Sequence, residues 1–420
     1  VSIVDGFKVG DGIKTSIINR LSYGLPESVN IDSRKLSRID SIVKVSIDSM
    51  MTPGVQLLIA KDSKVVFDKS YGKLRYNNSP NVNSTTKYDL ASLTKILVTL
   101  PLIMKLYDNN VLSLDSKLGE LLPSYKESNK SEFTIKEMLS HFAYFQAWIP
   151  FYKQTIDSTT GKLKSNLYRN NLDENFSLKI NNNIHLISTY KDTILNQIKE
   201  SELIDERYKY SDLPYIILQQ YIEDYYFENL DNLSRKYFFN SIGANSFMFN
   251  PANSISIENI APTEIDSYFR NQEVVGYVHD MAAAMLGGVS GHAGLFGNSN
   301  DVAKIMQMYI QNGNYGGIQY LKPETINTFN TCNYCSEGNR RGIGFDKPQL
   351  EDEGPTCGCV SMNSFGHSGW TGTYAWADPD EEIVYIFLSN RSYPNDPENK
   401  LLNYNIRTEI QRLLYESINK

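Results

Sequence analysis

The chain has 420 residues, 41% apolar and 12% aromatic, which is enough to bury a large core and excludes long disorder as the leading reading. Its formal charge of -7 comes from interspersed acidic and basic residues with no basic stripe, which argues against a nucleic-acid partner. No run of about 20 apolar residues occurs, so no transmembrane helix is expected.

Residues 1–30, with Gly6, Gly10, Gly12 and Gly24-Leu25-Pro26, carry turn formers and little periodicity, and read as a linker or lead-in. The chain starts at Val1 without a basic segment followed by an apolar run, which fits a removed signal peptide or a piece of a longer protein. A helix is expected around Leu36, Ile39, Ile42 and Val43. Two β runs follow, residues 55–60 and 64–69, joined by the hairpin-like Lys61-Asp62-Ser63. The middle of the chain is mainly helical, as at residues 96–107, 214–225 and 301–309. Near the far end, residues 372–377 and 383–389 read as strands around the turn Asp378-Pro379-Asp380-Glu381. Leu402, Ile406, Ile410, Leu413 and Leu414 then recur at helical spacing. The expected fold class is α/β (α+β): an antiparallel sheet formed from both chain ends and flanked by helices, with an inserted mainly helical lobe. The expected boundaries are a lead-in over 1–30 and one domain over 31–420. Its sheet lobe covers about 31–90 and 340–420, and its helical lobe about 91–339.

All four cysteines, Cys332, Cys335, Cys357 and Cys359, fall in one window. One or two disulfides, a four-thiolate zinc site and free thiols are all open; disulfides lead because Cys-x-Cys is a less usual zinc pair than Cys-x-x-Cys. His141, His185, His279 and His292 show no metal-ligand spacing, so no metal and no organic cofactor are expected. His292 stands apart because its glycine-flanked loop could line a cleft.

Ser92-Leu93-Thr94-Lys95 puts a serine and a lysine three residues apart at the start of an apolar helix. The positive end of that helix favours an alkoxide, although a serine there also reads as an N-cap. The spacing alone says little, because Ser41/Lys44, Ser70/Lys73, Ser84/Lys87 and Ser188/Lys191 repeat it. Tyr210-Ser211-Asp212 opens a second helix, and Tyr210 could act as a general base if cations lower its pKa; among 28 tyrosines, packing is the isolated reading. His367-Ser368-Gly369 precedes a strand whose edge could hold a substrate backbone, with the next N–H, that of Trp370, completing an oxyanion hole.

Taken in order, these three motifs resemble the penicillin-recognising serine enzymes, in the branch of class C β-lactamases, related esterases and D-alanyl-D-alanine peptidases. Pro53-Gly54-Val55, Gly291-His292-Ala293-Gly294-Leu295-Phe296 and Phe387-Leu388-Ser389-Asn390-Arg391 extend the resemblance over residues 31–418. A nearer likeness is to the β-lactamase-like domain carried behind N-acetylglucosaminidase domains in Bacteroidetes-type proteins. It is suggested by Ala147-Trp148-Ile149-Pro150-Phe151-Tyr152, Tyr208-Lys209-Tyr210-Ser211-Asp212-Leu213 and Val278-His279-Asp280. The resemblance implies an exported, periplasmic or envelope protein, a small-molecule or peptidoglycan-derived substrate, and a linked glycosidase domain as a partner.

By position it implies that Ser92 attacks a carbonyl, Lys95 and Tyr210 relay its proton, and the N–H groups of Ser92 and Trp370 hold the oxyanion. Asp212, His367, Ser368, Gly369 and His292 would contact substrate. The implied activity is a serine hydrolase working through an acyl-enzyme on an ester or amide, with D-alanyl-D-alanine carboxypeptidase or β-lactamase as alternatives. A silent binding module and a structural domain attached to a glycosidase are the non-enzymatic rivals, and the intact Ser92, Lys95 and Tyr210 argue against both. Asp212 and His367 replace the Asn and Lys of the lactamase pattern. The expectation is therefore a cleft that favours neutral esters over carboxylate-bearing substrates, unless Asp212 keeps His367 protonated.

Overall fold

The computed structural model describes residues 19–77, 79–351, 353–395 and 398–419. Most of the lead-in lies outside these residues, but Ser22–Tyr23 (β1) already runs along the edge of the main sheet. Gly54–Lys61 (β2) turns into Lys64–Gly72 (β3) through Asp62 and Ser63, at φ of 51° and 61°. Two successive positive φ values make the tight turn whose twist suits a two-residue hairpin. Tyr88–Asp89 (β4), Met248–Phe249 (β5) and Leu295–Gly297 (β6) form a small separate sheet in the order β4-β6-β5. The far end supplies Phe365–Ser368 (β7), Tyr374–Asp378 (β8) and Ile383–Ser389 (β9).

The main sheet has the order β1-β3-β2-β9-β8-β7. Its centre joins the two chain ends: β2 and β9 are antiparallel, with Val55 opposite Ser389 and Lys61 opposite Ile383. Only the β1–β3 edge pair is parallel, so the sheet is mixed where an all-antiparallel one was expected. Every residue of β9 is buried, because helices cover both faces.

On one face Val55, Leu57 and Ile59 meet Ile39–Asp48 (α1) together with the C-terminal helix. On the other, Leu58, Ala60, Ile386 and Leu388 join the larger core. That core contains Leu100–Asp108 (α2), Leu213–Tyr226 (α3), Met281–Met285 (α4) and Ser299–Ile310 (α5). The C-terminal helix is Ile406–Glu416 (α6), whose Ile406, Ile410 and Leu414 are buried at helical spacing. Among the described residues no helix is long and apolar enough to cross a membrane.

The cysteines form two short-range disulfides, Cys332–Cys335 and Cys357–Cys359. This resolves the three readings of their clustering in favour of bridges.

Candidate active site

Ser92 lies in the turn between β4 and the helix that carries Lys95, where the chain passes from the small sheet into the helical core. The first stretch of that helix, Lys95–Thr99, is π-helical, and α2 continues from it. Single π turns inside helices are found mostly at functional sites.

Lys95 Nζ donates to Ser92 Oγ at 3.0 Å, to Asp212 Oδ1 at 2.6 Å and to the His292 carbonyl at 3.0 Å. Each ammonium proton therefore has an acceptor. Burial pulls the Lys95 pKa down, but the Asp212 carboxylate and Tyr210 outweigh it, and the net shift is upward. Tyr210 donates its hydroxyl proton to Ser92 Oγ at 3.0 Å. Burial pushes the phenol pKa up and Asp212 adds to this, against the opposing pull of Lys95. At neutral pH the resting pair is thus ammonium and phenol.

Tyr210 is held on several sides. The Lys95 ammonium lies 5.2 Å from its ring centroid and the Arg341 guanidinium 5.0 Å, while the His141 ring packs against it, tilted, at 4.6 Å. His141 accepts the Ser211 N–H at Nδ1, 3.2 Å away, and burial with nearby Arg341 and Lys95 holds it neutral. Ser211 donates its hydroxyl to the Gln146 carbonyl at 2.6 Å rather than to Ser92.

His367 is neutral, as expected of a histidine in place of a lysine, and burial makes it more so. It is 2% exposed, and burial lowers its pKa to about 3, reinforced by Arg341 and Lys95. Its Nδ1 lies 2.7 Å from the Ser368 carbonyl, which assigns the proton to that nitrogen and leaves Nε2 a buried acceptor without a partner. Asp212 does not keep His367 protonated, because Asp212 is engaged by Lys95 and burial dominates at the imidazole.

The cation lacking at His367 stands elsewhere. Arg340 and Arg341 share one carboxylate, Asp346, at 3.0 and 3.6 Å, which leaves this wall of the cleft with one net positive charge. Asp346 is itself anchored to β7 by paired backbone bonds with Gly366. A positive charge that the expectation did not count comes from an Asn-Arg-Arg-Gly loop outside every recognised motif.

Ser92, Tyr210, Asp212, His292 and the 367–370 strand end line one cleft of about 710 Å³, and Lys95 lies beneath its floor. None of the Ser/Lys pairs named above as repeats of the spacing lines it. Gly369 admits no side chain, since a Cβ there would sit 2.1 Å from Thr373 Oγ1 and 2.8 Å from the Leu90 carbonyl. The Trp370 side chain is 63% exposed at the cleft rim, with the Arg391 guanidinium 4.8 Å from its ring. Among the described residues no group accepts from the backbone N–H of Ser92 or of Trp370.

His292 is buried, with Nδ1 2.9 Å from Ser290 Oγ and Nε2 2.8 Å from Asp280 Oδ1. Asp212, Asp280 and His292 bring three potential ligand atoms within 4.8 Å of one another. Each is already engaged, Asp212 by the Lys95 ammonium and Asp280 by both His292 and the Ala283 N–H. A divalent cation there would compete with the Lys95 ammonium for the Asp212 carboxylate.

The family model described as Beta-lactamase matches residues 39–407. A protein of Escherichia coli (strain K12) with the provisional name D-alanyl-D-alanine carboxypeptidase is 28% identical over 406 residues, covering 90% of this chain and 86% of that protein. Among solved structures, EstCE1, a hydrolase with promiscuous acyltransferase activity, superposes with a TM-score of 0.64 at 18% identity, covering 91% of this chain and 99% of that one. The octameric penicillin-binding protein homologue from Pyrococcus abyssi gives 0.64 at 21% identity, covering 91% and 78%. At such identities the structural likeness speaks for the fold.

Proposed function

The chain belongs to the beta-lactamase family of serine hydrolases, and on that footing we propose that Ser92 forms an acyl-enzyme with carboxylate-bearing amides of the D-alanyl-D-alanine class. Once the Tyr210/Lys95 pair has released one proton to solvent, Ser92 Oγ attacks the substrate carbonyl as its own proton passes to that pair, and the N–H groups of Ser92 and Trp370 take the developing oxyanion. The pair then protonates the leaving amine. In the second half, the same pair removes a proton from water, the hydroxide attacks the acyl ester, and Ser92 regains its hydrogen.

The observation that carries the substrate class is the Arg340/Arg341 pair over a single Asp346, beside Tyr210, in a cleft whose His367 is neutral. The name of the Escherichia coli relative supports the same reading. The two disulfides support an exported protein, since such bonds persist mainly in oxidising compartments.

The test compares kcat/KM for a peptide ending in D-Ala-D-Ala with a free carboxylate and for its C-terminal amide. We expect a preference of about tenfold or more for the carboxylate, equivalent to about 1.4 kcal/mol. Arg341→Met should erase most of it. Equal rates on the two peptides would overturn the assignment and favour neutral esters.

A further inference from the structure

The residue before the nucleophile has an unusual backbone. Ala91 has φ of 47°, a left-handed conformation that residues other than Gly, Asn and Asp seldom adopt. Such a conformation persists only where the surroundings over-determine it.

The surroundings here centre on one carboxylate. Asp89, at the end of β4, is 1% exposed. Its Oδ1 accepts the Ala91 N–H at 2.9 Å, and its Oδ2 accepts the His279 N–H at 2.7 Å. The residue after His279 is Asp280, which holds His292 at 2.8 Å, and the His292 carbonyl receives Lys95 at 3.0 Å. The turn is also pinned toward the β7–β8 connection that carries Trp370: Thr371 Oγ1 donates to the Asp89 carbonyl at 2.8 Å and Thr373 Oγ1 to the Leu90 carbonyl at 3.1 Å.

We propose that Asp89 is a positioning residue for acylation: its carboxylate holds Ala91 in the left-handed turn that aims Ser92, and ties that turn to the 279–292 segment holding Lys95. An amide cannot replace it. Asn at 89 would accept one N–H through its oxygen and present its own NH₂ to the other, leaving two buried donors face to face. Released from its tether, Ala91 relaxes toward negative φ and carries Ser92 off line. A glycine at 91 has no such bias, because positive φ is as open to it as negative.

The inference rests on Ser92 being the nucleophile, and the experiment separates the two claims. Asp89→Asn, Ala91→Gly, the double variant and Ser92→Ala are assayed for acylation rate per folded molecule with an activated nitrophenyl ester, for kcat and KM separately, and for Tm. D89N should lower the acylation rate and kcat on the order of ten- to a hundredfold with KM little changed, as misplacement of a reacting group does. Ala91→Gly in that background should recover a large part of the loss. If D89N alone does not fold, the double variant should restore both folding and acylation. Wild-type acylation in folded D89N, a loss confined to KM, or no recovery of folding or acylation by Ala91→Gly overturns the tether. Acylation that persists in S92A overturns the nucleophile assignment, and the tether with it.

Discussion

Replacing Asp212 by Asn tests how the proton-accepting pair is held in its resting state. The carboxylate raises the pKa of both Lys95 and Tyr210, so its loss lowers both, whichever of them takes the proton from Ser92. Each group must shed its own proton before it can accept another. Activity in the native enzyme should therefore climb with pH toward the alkaline side, and the limb should move to lower pH in D212N. At 2.6 Å and an effective dielectric near 20, the Lys95–Asp212 attraction is of order 6 kcal/mol before desolvation. Water reaches Asp212, whose side chain is 22% exposed, and the Asn carbonyl would still accept a hydrogen bond. If a quarter of the Coulomb term is lost, about 1.5 kcal/mol, the midpoint falls by about one pH unit. The assay is kcat/KM between about pH 5 and 10 on a neutral nitrophenyl ester, which keeps substrate charge out of the profile. We expect D212N to be several-fold faster than the native enzyme near pH 7 and no faster at the alkaline end. A limb that stays in place, or moves up, would refute the assignment of Asp212 as the group holding the pair protonated.

Ser92→Ala should abolish labelling by a fluorophosphonate, and labelling of any other serine would contradict the nucleophile assignment. Lys95→Ala should lower kcat by about 10²- to 10⁴-fold, measured on the same ester; an unchanged rate would place the proton transfer elsewhere. Asp346→Ala leaves buried Arg341 without its carboxylate and should destabilise the fold by roughly 3–5 kcal/mol in urea melts. Burial works against the Asp346 carboxylate, but Arg341 and Arg340 hold its pKa below the ordinary value. Its stabilisation is therefore complete above the normal carboxylate range and fades only as pH falls through the depressed value. Reduction should add roughly two mass units per bridge with no zinc released; stoichiometric zinc would overturn the disulfides.

The strands at both chain ends were legible because their apolar runs are bounded by strong turn signals, and β2, β3, β8 and β9 fall close to the expected positions. The two-residue β1 carries too little pattern to stand out, and the unbroken apolar run Ile96-Leu97-Val98 shows no period that would separate a π turn from an α-helix. Ser92, Lys95, Tyr210 and Asp212 were legible because each sits beside a helix start, where sequence and geometry are closely coupled. Arg341, Asp346 and Asp89 were not, because their importance comes from partners far along the chain: Arg341 lies over Tyr210, and Asp89 bonds His279. Asp89 did carry a local hint, an acidic residue three before the serine. The alternative in which Asp212 keeps His367 protonated failed for a related reason. A local pattern shows which residue stands at a position but not how deeply it is buried, and burial decides the protonation of that imidazole.

The central pairing of β2 with β9 also sets an order of events during synthesis. Residues 54–72 emerge early and cannot complete their sheet until residues 365–389 follow, more than half the chain later. Such a contact is slow to close and exposes unpaired strand edges in the interval. Ser92 belongs to the early part and Trp370 to the late part, so the two N–H groups assigned to the oxyanion come together only once the whole domain is made. On the proposed mechanism, a nascent chain of this design carries a serine that cannot yet do acyl transfer, and a truncated chain ending before β7 would carry one that never could.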